Sequence, residues 1–253
     1  MHPQVILHVG LHRTGTTWLQ RRAWIPELGV KPIADSAQPW DDPMLRALVQ
    51  GVGFSAQDVA EEAARRAHGS SFAVLSAERL GGHPISGAYD RWAIADRLAA
   101  AFPGATVLIG TRQTEWVESL YAQMLNEGYC GRALEVASRA HWKLASWPGE
   151  YLDTAALLEG YRVRFGRDKV HELPYELLKQ DPVAYTKLLA SATGNEAFTS
   201  LAGAAVHVEN ARPKDLARQR LANYFWKSAL NPHPVVDLGP RGAQWLSRLL
   251  RPF

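Results

Sequence analysis

Two glycines stand five positions apart in residues 10–17, Gly-Leu-His-Arg-Thr-Gly-Thr-Thr, among hydroxyl-bearing and basic side chains. This is the G-x-x-x-x-G spacing of a Walker A loop, in which backbone N–H groups surround a phosphate. The apolar run Val5 to Val9 comes before the loop, and a helical pattern follows it. A strand, a tight turn and a helix N-terminus together attract an anion, so residues 10–17 predict a phosphate-binding loop.

The residue after the second glycine argues against a nucleoside triphosphate as the ligand. A Walker A loop has Lys there, which reaches the β- and γ-phosphates. This chain has Thr16 at that position, followed by Thr17. The basic side chain of the loop is Arg13, which lies inside the turn instead. We therefore expect a loop that binds a phosphate but is poorly suited to ATP or GTP.

Polar side chains also follow the next two apolar runs that predict strands. Glu78 comes after residues 71–76, and Arg112 comes after residues 105–110. Because the carboxyl ends of parallel strands meet at one edge of a sheet, we expect both side chains to lie near the loop. The sequence thus predicts a phosphate-binding loop, the carboxylate of Glu78 and a second anion-binding group, Arg112. Together they suit a ligand with two separated anionic groups.

The alternation of apolar strands with helices predicts the fold class. We expect strands at residues 5–9, 71–76, 105–110 and 169–173, and helices at 15–24, 43–52, 55–68, 88–102, 114–126, 150–165 and 181–192, with a largely helical tail over 212–253. Such alternation is typical of an α/β fold with a central parallel sheet flanked by helices. We expect one domain over 1–253, because no linker composition divides the chain.

Composition and charge exclude several classes of protein. The chain has 253 residues, 47% of them hydrophobic, a net charge of +3 and one cysteine, Cys130. A single cysteine excludes an intrachain disulfide, and no Lys/Arg run is dense enough to predict nucleic-acid binding. No apolar run approaches the roughly 20 residues that span a bilayer, and the N-terminal Met-His-Pro-Gln does not predict a signal peptide. We expect a soluble cytoplasmic protein whose oligomeric state the sequence does not reveal.

Three segments resemble the bacterial type of sulfotransferase that depends on 3′-phosphoadenosine 5′-phosphosulfate (PAPS). Residues 10–20 are similar to the 5′-phosphosulfate loop of that family, usually written Lys-[Ser/Thr]-Gly-Thr-[Ser/Thr]. Residues 107–121 are similar to its 3′-phosphate motif, in which an Arg ends a strand and a Ser lies in the next helix. Residues 170–194 resemble its Leu-Pro-Tyr-Glu … Asp-Pro … Gly segment. The resemblance implies a P-loop-like sulfotransferase fold.

The resemblance also implies which residues of the loop bind the donor. The 5′-phosphosulfate would be bound by Arg13, Thr14, Gly15, Thr16 and Thr17, through their backbone and the last two hydroxyls. Arg13 stands where the family has Lys. A guanidinium is permanently charged and forked, so it can stabilise the leaving phosphate but is a poor proton donor.

The resemblance assigns the 3′-phosphate to Arg112 and Ser119. Their spacing of seven residues is one shorter than the family's usual spacing, which leaves open whether Thr111 shares the role. Asn210 and Arg212 lie where a late basic loop of the family closes on the same phosphate. The implied sulfuryl donor is PAPS, and we expect no metal to be required.

Sulfuryl transfer needs a base that removes the acceptor's proton, and a positioned base contributes about 10²–10⁴ in rate. Glu78 is the first candidate, because it ends the second predicted strand facing the loop. A glutamate there can also be a loop cap or an ion-pair partner of Arg79. His12 is the alternative base, although a histidine in the loop can simply pack or hydrogen-bond the turn. His8, inside the first strand, is interpreted as a buried histidine with satisfied hydrogen bonds.

The leading hypothesis is an enzyme that moves a sulfuryl group from PAPS, by in-line displacement, to a hydroxyl or amine of a small molecule or glycan. The alternatives are a P-loop small-molecule kinase that uses ATP and a catalytically silent nucleotide-binding module. A kinase needs the Walker Lys and an Asp for Mg²⁺ at a strand end, and the sequence offers neither convincingly. We expect residues 28–70 and 128–150 to shape the acceptor pocket, with Trp142 and Trp147 either lining it or packing in the core.

Overall fold

Five parallel strands form the central sheet. The computed structural model describes residues 3–34, 41–82, 88–113, 115–131, 149–204, 215–228 and 231–249. The strands are β1 (Gln4–Gly10), β2 (Val30–Pro32), β3 (Phe72–Ala77), β4 (Thr106–Thr111) and β5 (Val170–Pro174). Their order is β2-β3-β1-β4-β5, and each neighbouring pair is parallel. The four predicted strands are therefore confirmed, and β2 is an additional edge strand.

Within this α/β domain the residues group into two compact units, 1–114 with 149–207 and 115–148 with 208–253. The helices of the first unit are α1 (Thr16–Arg22), α2 (Pro43–Gln50), α3 (Ala56–Arg66), α4 (Arg91–Ala101), α6 (Gly149–Leu152), α7 (Thr154–Phe165), α8 (Tyr175–Gln180) and α9 (Pro182–Thr193). Those of the second unit are α5 (Trp116–Asn126), α10 (Leu216–Asn223) and α11 (Gly239–Leu249). The predicted α/β fold, with a central parallel sheet flanked by helices, is confirmed.

Side-chain caps set where several helices begin. Ser55 caps α3 by accepting from the Asp58 N–H at 3.2 Å, and Asp181 caps α9 by accepting from the Ala184 N–H. Both caps follow from the preference of Ser and Asp for this position. Asp153 caps α7 in the same way, at 2.9 Å from the Ala156 N–H. The prediction of one helix over residues 150–165 is therefore wrong, since Asp153 starts a new helix after the short α6.

Strand β2 was not predicted, because three residues ending in Pro32 are too few for a periodic pattern. It pairs with β3 at the sheet edge, with Val30 opposite Phe72. Residues 28–70 thus contribute β2, α2 and α3 to the fold. That this segment also shapes an acceptor pocket stays a prediction.

One face of the sheet carries a core built on β1 and the helices that follow it. Two aromatic pairs lie in this core. The ring centroids of Trp18 and Tyr185 are 6.0 Å apart, and those of Trp24 and Phe198 are 5.7 Å apart. Burying each large apolar side chain contributes about 1.5–3 kcal/mol. This core fixes α1, and with it the end of the predicted phosphate-binding loop.

In the second unit, the buried Asn223 joins α10 to the last turn of α5 and to Tyr129, which follows it. Its amide nitrogen donates to the carbonyls of Leu125 and Tyr129, at 2.7 and 2.8 Å. Asn231 in turn donates to the Asn223 carbonyl at 2.7 Å. Helices α10 and α11 lie in the tail that was predicted to be largely helical. Among the described residues, no helix combines the length and the apolar character that crossing a membrane requires.

His8 in β1 is fully buried, and its hydrogen bonding is incomplete. Its Nδ1 lies 2.7 Å from the Ser76 Oγ, whereas its Nε2 is buried without a hydrogen-bond partner among the described residues. The interpretation of a buried histidine is right, but its hydrogen bonds are only half satisfied. Burial lowers the pKa of His8 from 6.5 to about 3, so the imidazole is neutral in the folded chain.

We expect the free energy of unfolding to decrease as the pH falls from 6.5 towards 3. In this range the unfolded chain binds a proton at His8 that the folded chain does not bind. The contribution of His8 approaches about 1.4 kcal/mol per pH unit. Urea unfolding between pH 7 and pH 4 measures the slope. His8→Asn keeps a polar group near Ser76 but does not titrate, and an unchanged slope in that variant would contradict the prediction.

Candidate functional site

The predicted phosphate-binding loop, residues 10–17, forms a tight turn between β1 and α1. Arg13 and Gly15 both have left-handed backbone conformations, with φ of 69° and 89°. The Thr14 hydroxyl donates to the Leu11 carbonyl at 2.6 Å and closes the turn. A non-glycine residue with positive φ is uncommon and is often found at functional sites. Left-handed residues in a turn can direct N–H groups towards a bound anion, and anion binding by residues 10–17 stays a prediction.

Two glycines allow this loop to pack closely. A Cβ at Gly15 would lie 3.1 Å from Leu178 and 3.3 Å from Tyr175 of α8, in addition to the cost of its left-handed φ. A Cβ at Gly10 would collide with the Thr16 hydroxyl. The glycine spacing that suggested a phosphate-binding loop is therefore required by the geometry of the turn.

Thr16, at the first position of α1, carries an unusual buried hydroxyl. Its side chain is 2% exposed, and its Oγ1 has no hydrogen-bond partner among the described residues. Leaving a buried polar group unsatisfied costs about 1–3 kcal/mol. The N-cap of α1 is Gly15, which has no side chain to accept from the first N–H groups of the helix. The start of α1 thus has hydrogen-bonding capacity that the described side chains do not use.

Arg112 joins the end of β4 to the loop. Its Nη1 donates to the Arg13 carbonyl at 3.2 Å, and its guanidinium stacks 4.8 Å from the centre of the Tyr175 ring. The side chain is 7% exposed. Arg112 therefore lies against the loop of residues 10–17, as expected from the convergence of parallel strand ends.

Neighbouring polar residues brace the end of β4. The Thr111 hydroxyl donates to the Glu172 carboxylate at 2.6 Å, and the Gln113 N–H donates to the Glu176 carboxylate at 2.9 Å. Thr111 is thus engaged with β5, and whether it shares the role of Arg112 stays open. Glu176 connects the start of α8 to the turn after β4.

Glu78 and His12, the two predicted alternatives for the base, lie side by side. The Oε2 of Glu78 is 3.6 Å from the Nε2 of His12, which is within ion-pair distance if the imidazole is protonated. Glu78 begins the 3₁₀ turn Glu78–Gly81 directly after β3. Arg79, which was considered as a partner for Glu78, forms an ion pair with Asp90. The two candidates form one carboxylate–imidazole pair next to the predicted loop.

Tyr151 was missed by the sequence analysis. It lies on the short helix α6 and is fully buried, and its Oη is 3.2 Å from the His12 Nδ1 and 3.4 Å from the His12 backbone N. Burial raises the pKa of Tyr151, so the phenol stays neutral. A single tyrosine 139 positions from its partner has no signature in one sequence.

Arg91, at the start of α4, holds α6 near the end of β3. Its Nε donates to the Gly81 carbonyl at 3.0 Å and its Nη2 to the Tyr151 carbonyl at 3.2 Å. Its guanidinium also lies 5.1 Å from the centre of the Tyr151 ring. Burial lowers the pKa of Arg91, although a guanidinium keeps its proton at neutral pH. The position of Tyr151 therefore depends on a buried cation.

The remaining predicted site residues lie in α1, in α5 or outside the described residues. Thr17 is half-buried in α1, and Ser119 is buried on α5 in the second compact unit. Asn210, Arg212, Trp142 and Trp147 lie outside the described residues, so their roles, like that of Ser119, stay predictions. In the part of the chain that the structure describes, no group of three or more His, Cys, Asp or Glu could hold a metal ion.

Comparisons with known proteins bear on the fold. No protein-family model matches this chain, and no curated protein matches it. The crystal structure of a sulfotransferase from Alicyclobacillus acidocaldarius matches it with a TM-score of 0.53 and 17% sequence identity, over 89% of this chain and 92% of that chain. At this identity the likeness concerns the fold alone. The chain has a sulfotransferase-like fold.

We expect Gly15→Ala to destabilise the chain more than Gly29→Ala does. Both positions have a left-handed φ, which costs an alanine about 1–2 kcal/mol, but a Cβ meets neighbouring atoms only at Gly15. Urea unfolding of the two variants measures the difference, with Gly29 as the matched control. Equal losses of stability in the two variants would show that the loop does not pack against α8 as described.

Proposed function

We propose that this chain is a sulfotransferase that moves a sulfuryl group from PAPS to a hydroxyl or amine of a small molecule or glycan. The observation that carries the proposal is the contact between Glu78 and His12, at 3.6 Å, beside a loop whose backbone suits an anion. A group that can accept a proton thus lies next to a group that can hold a leaving phosphate. The sulfotransferase-like fold supports the same reaction class.

The residues of the loop fit a phosphosulfate. The left-handed backbone at Arg13 and Gly15 supports anion binding, because such turns can direct N–H groups towards one ligand, and the buried Thr16 hydroxyl gains an acceptor if an oxyanion is bound. Thr14 contributes its backbone, because its hydroxyl is used by the Leu11 carbonyl. PAPS supplies an activated sulfuryl group whose transfer releases 3′-phosphoadenosine 5′-phosphate (PAP).

The side chains around the loop have separate tasks in the proposed reaction. Glu78 takes the proton of the acceptor O–H or N–H as the acceptor atom attacks sulfur and the bond from sulfur to the 5′-phosphate oxygen breaks. Arg13 stabilises the negative charge that develops on that phosphate, and being always protonated it acts as a charge rather than as an acid. Arg112 binds the 3′-phosphate in the proposed complex. The same guanidinium also donates to the Arg13 carbonyl and so supports the loop.

The residue types of the loop favour sulfuryl transfer over a kinase reaction. Thr16 stands where a Walker A lysine would reach the β- and γ-phosphates of ATP. A sulfuryl donor has no γ-phosphate to neutralise, so the loop does not need that lysine. The acceptor, the role of Ser119 and the cytoplasmic location all stay predictions.

Nucleotide binding tests the proposal directly. We expect isothermal titration to detect PAP binding, and we expect Arg112→Ala to weaken it by about 10–100-fold, as for one charge-assisted contact of roughly 1.5–3 kcal/mol. AMP lacks the 3′-phosphate, so its affinity should change little in the same variant. Equal losses for AMP and PAP would reduce Arg112 to a support for the loop. Absence of PAP binding by the unmodified chain, or tight binding of Mg-ATP instead, would overturn the proposal.

The role of Glu78 as the base has its own test. We expect Glu78→Gln to lower the rate of sulfuryl transfer from PAPS by about 10²–10⁴-fold while PAP affinity is unchanged, because the amide cannot accept the proton. Radiolabelled PAPS with a panel of phenols, sugars and amino sugars measures the rate. Glu61→Gln, on the exposed side of α3, is the control for removal of one negative charge. An undiminished rate in Glu78→Gln would show that Glu78 is not the base.

A further inference from the structure

The imidazole of His12 lies between two oxygen atoms. The Tyr151 Oη is 3.2 Å from its Nδ1, and the Glu78 Oε2 is 3.6 Å from its Nε2. The His12 side chain is 10% exposed, and Tyr151 is fully buried. The ring is thus held at both nitrogens by groups from opposite sides.

The backbone determines how the Tyr151 hydroxyl can be used. The His12 N–H, which can only donate, points at the Tyr151 Oη from 3.4 Å. One lone pair of the phenol oxygen accepts this bond, and at 3.2 Å the phenol O–H is within donating distance of Nδ1. A neutral imidazole that accepts at Nδ1 carries its own proton on Nε2, which faces the Glu78 carboxylate.

The opposite tautomer is less favourable in this arrangement. With the proton on Nδ1, the Nε2 lone pair would face the negative Glu78 carboxylate, and two acceptors would repel each other. The backbone N–H and the Nδ1–H would then both point at the same phenol oxygen. The contacts therefore favour one tautomer at both ends of the ring.

We propose that Tyr151 is a positioning residue that holds His12 in the Nε2–H tautomer, so that His12 donates towards Glu78 and does not itself act as the base. The tautomer stands on the contacts alone, whereas its consequence for the reaction rests on the proposed sulfotransferase function. His12 then orients the Glu78 carboxylate, much as an imidazole is oriented by its second partner in other sites. Of the two candidates for the base that the sequence left open, the proposal therefore selects Glu78 and makes His12 its hydrogen-bond donor.

Nitrogen NMR tests the tautomer without any ligand. Long-range proton–nitrogen correlation spectra of the unmodified chain above neutral pH distinguish a protonated from an unprotonated ring nitrogen, and a His12→Gln variant identifies the His12 signals. We expect Nδ1 to be unprotonated and Nε2 to be protonated. A proton on Nδ1 would overturn the proposal, whether alone or together with one on Nε2.

The Tyr151→Phe variant tests the role of the hydroxyl. It keeps the ring against Arg91 and removes only Oη, so we expect the His12 Nδ1 signal to shift. We expect kcat with the best acceptor of the phenol, sugar and amino sugar panel to fall about tenfold, the effect of one hydrogen bond, with PAP affinity unchanged.

Tyr185→Phe is the matched control. Tyr185 is equally buried, and its Oη makes no hydrogen bond among the described residues. We expect neither the Nδ1 signal nor kcat to change in this variant. An unchanged Nδ1 signal in Tyr151→Phe, or the same losses in both variants, would overturn the role of Tyr151. If the unmodified chain does not bind PAP, the sulfotransferase function is overturned. The tautomer of His12 is still tested in that case, because the NMR measurement needs no ligand.

Discussion

Strand β1 lies between β3 and β4 in parallel register, and the rest of the site depends on this pairing. Val9 is paired with Ala77 on one side, and Gly10 with Gly110 on the other. The chain leaves all three strands at nearly the same level, which brings the predicted loop, Glu78 and Arg112 to one edge of the sheet. A slip of one residue would turn every side chain of a strand to the opposite face, so the buried apolar residues of the strands hold the register.

The loop after β1 owes its shape to contacts made by other segments. A left-handed residue other than glycine costs of the order of 1–3 kcal/mol, so Arg13 keeps this conformation only because its surroundings hold it. Arg112 bonds its carbonyl, and Gly15 allows α8 to lie against the turn. Contacts within the chain therefore hold the turn in place, and a turn that is already ordered costs less to order when a ligand binds.

Buried polar groups connect the site to a segment that is remote in sequence. Arg91 is 3% exposed and donates to the carbonyls of Gly81 and Tyr151. A buried cation is tolerated only where its donors are satisfied, so these bonds constrain both segments. Tyr151 thereby reaches His12 from α6, which Asp153 separates from the longer helix α7.

The sequence by itself determined four of the five strands of the described sheet, most of the helices, the tight glycine turn of residues 10–17, and the convergence of Glu78 and Arg112 on that turn. These follow from local rules, because apolar runs, glycine spacing and the meeting of parallel strand ends are all readable along one chain. Only the tertiary structure decided that Glu78 contacts His12, that Tyr151 lies on the other side of the imidazole, and that Arg112 supports the loop backbone. Such contacts depend on distances between side chains far apart in sequence, and these distances are set by the packing of helices on the sheet.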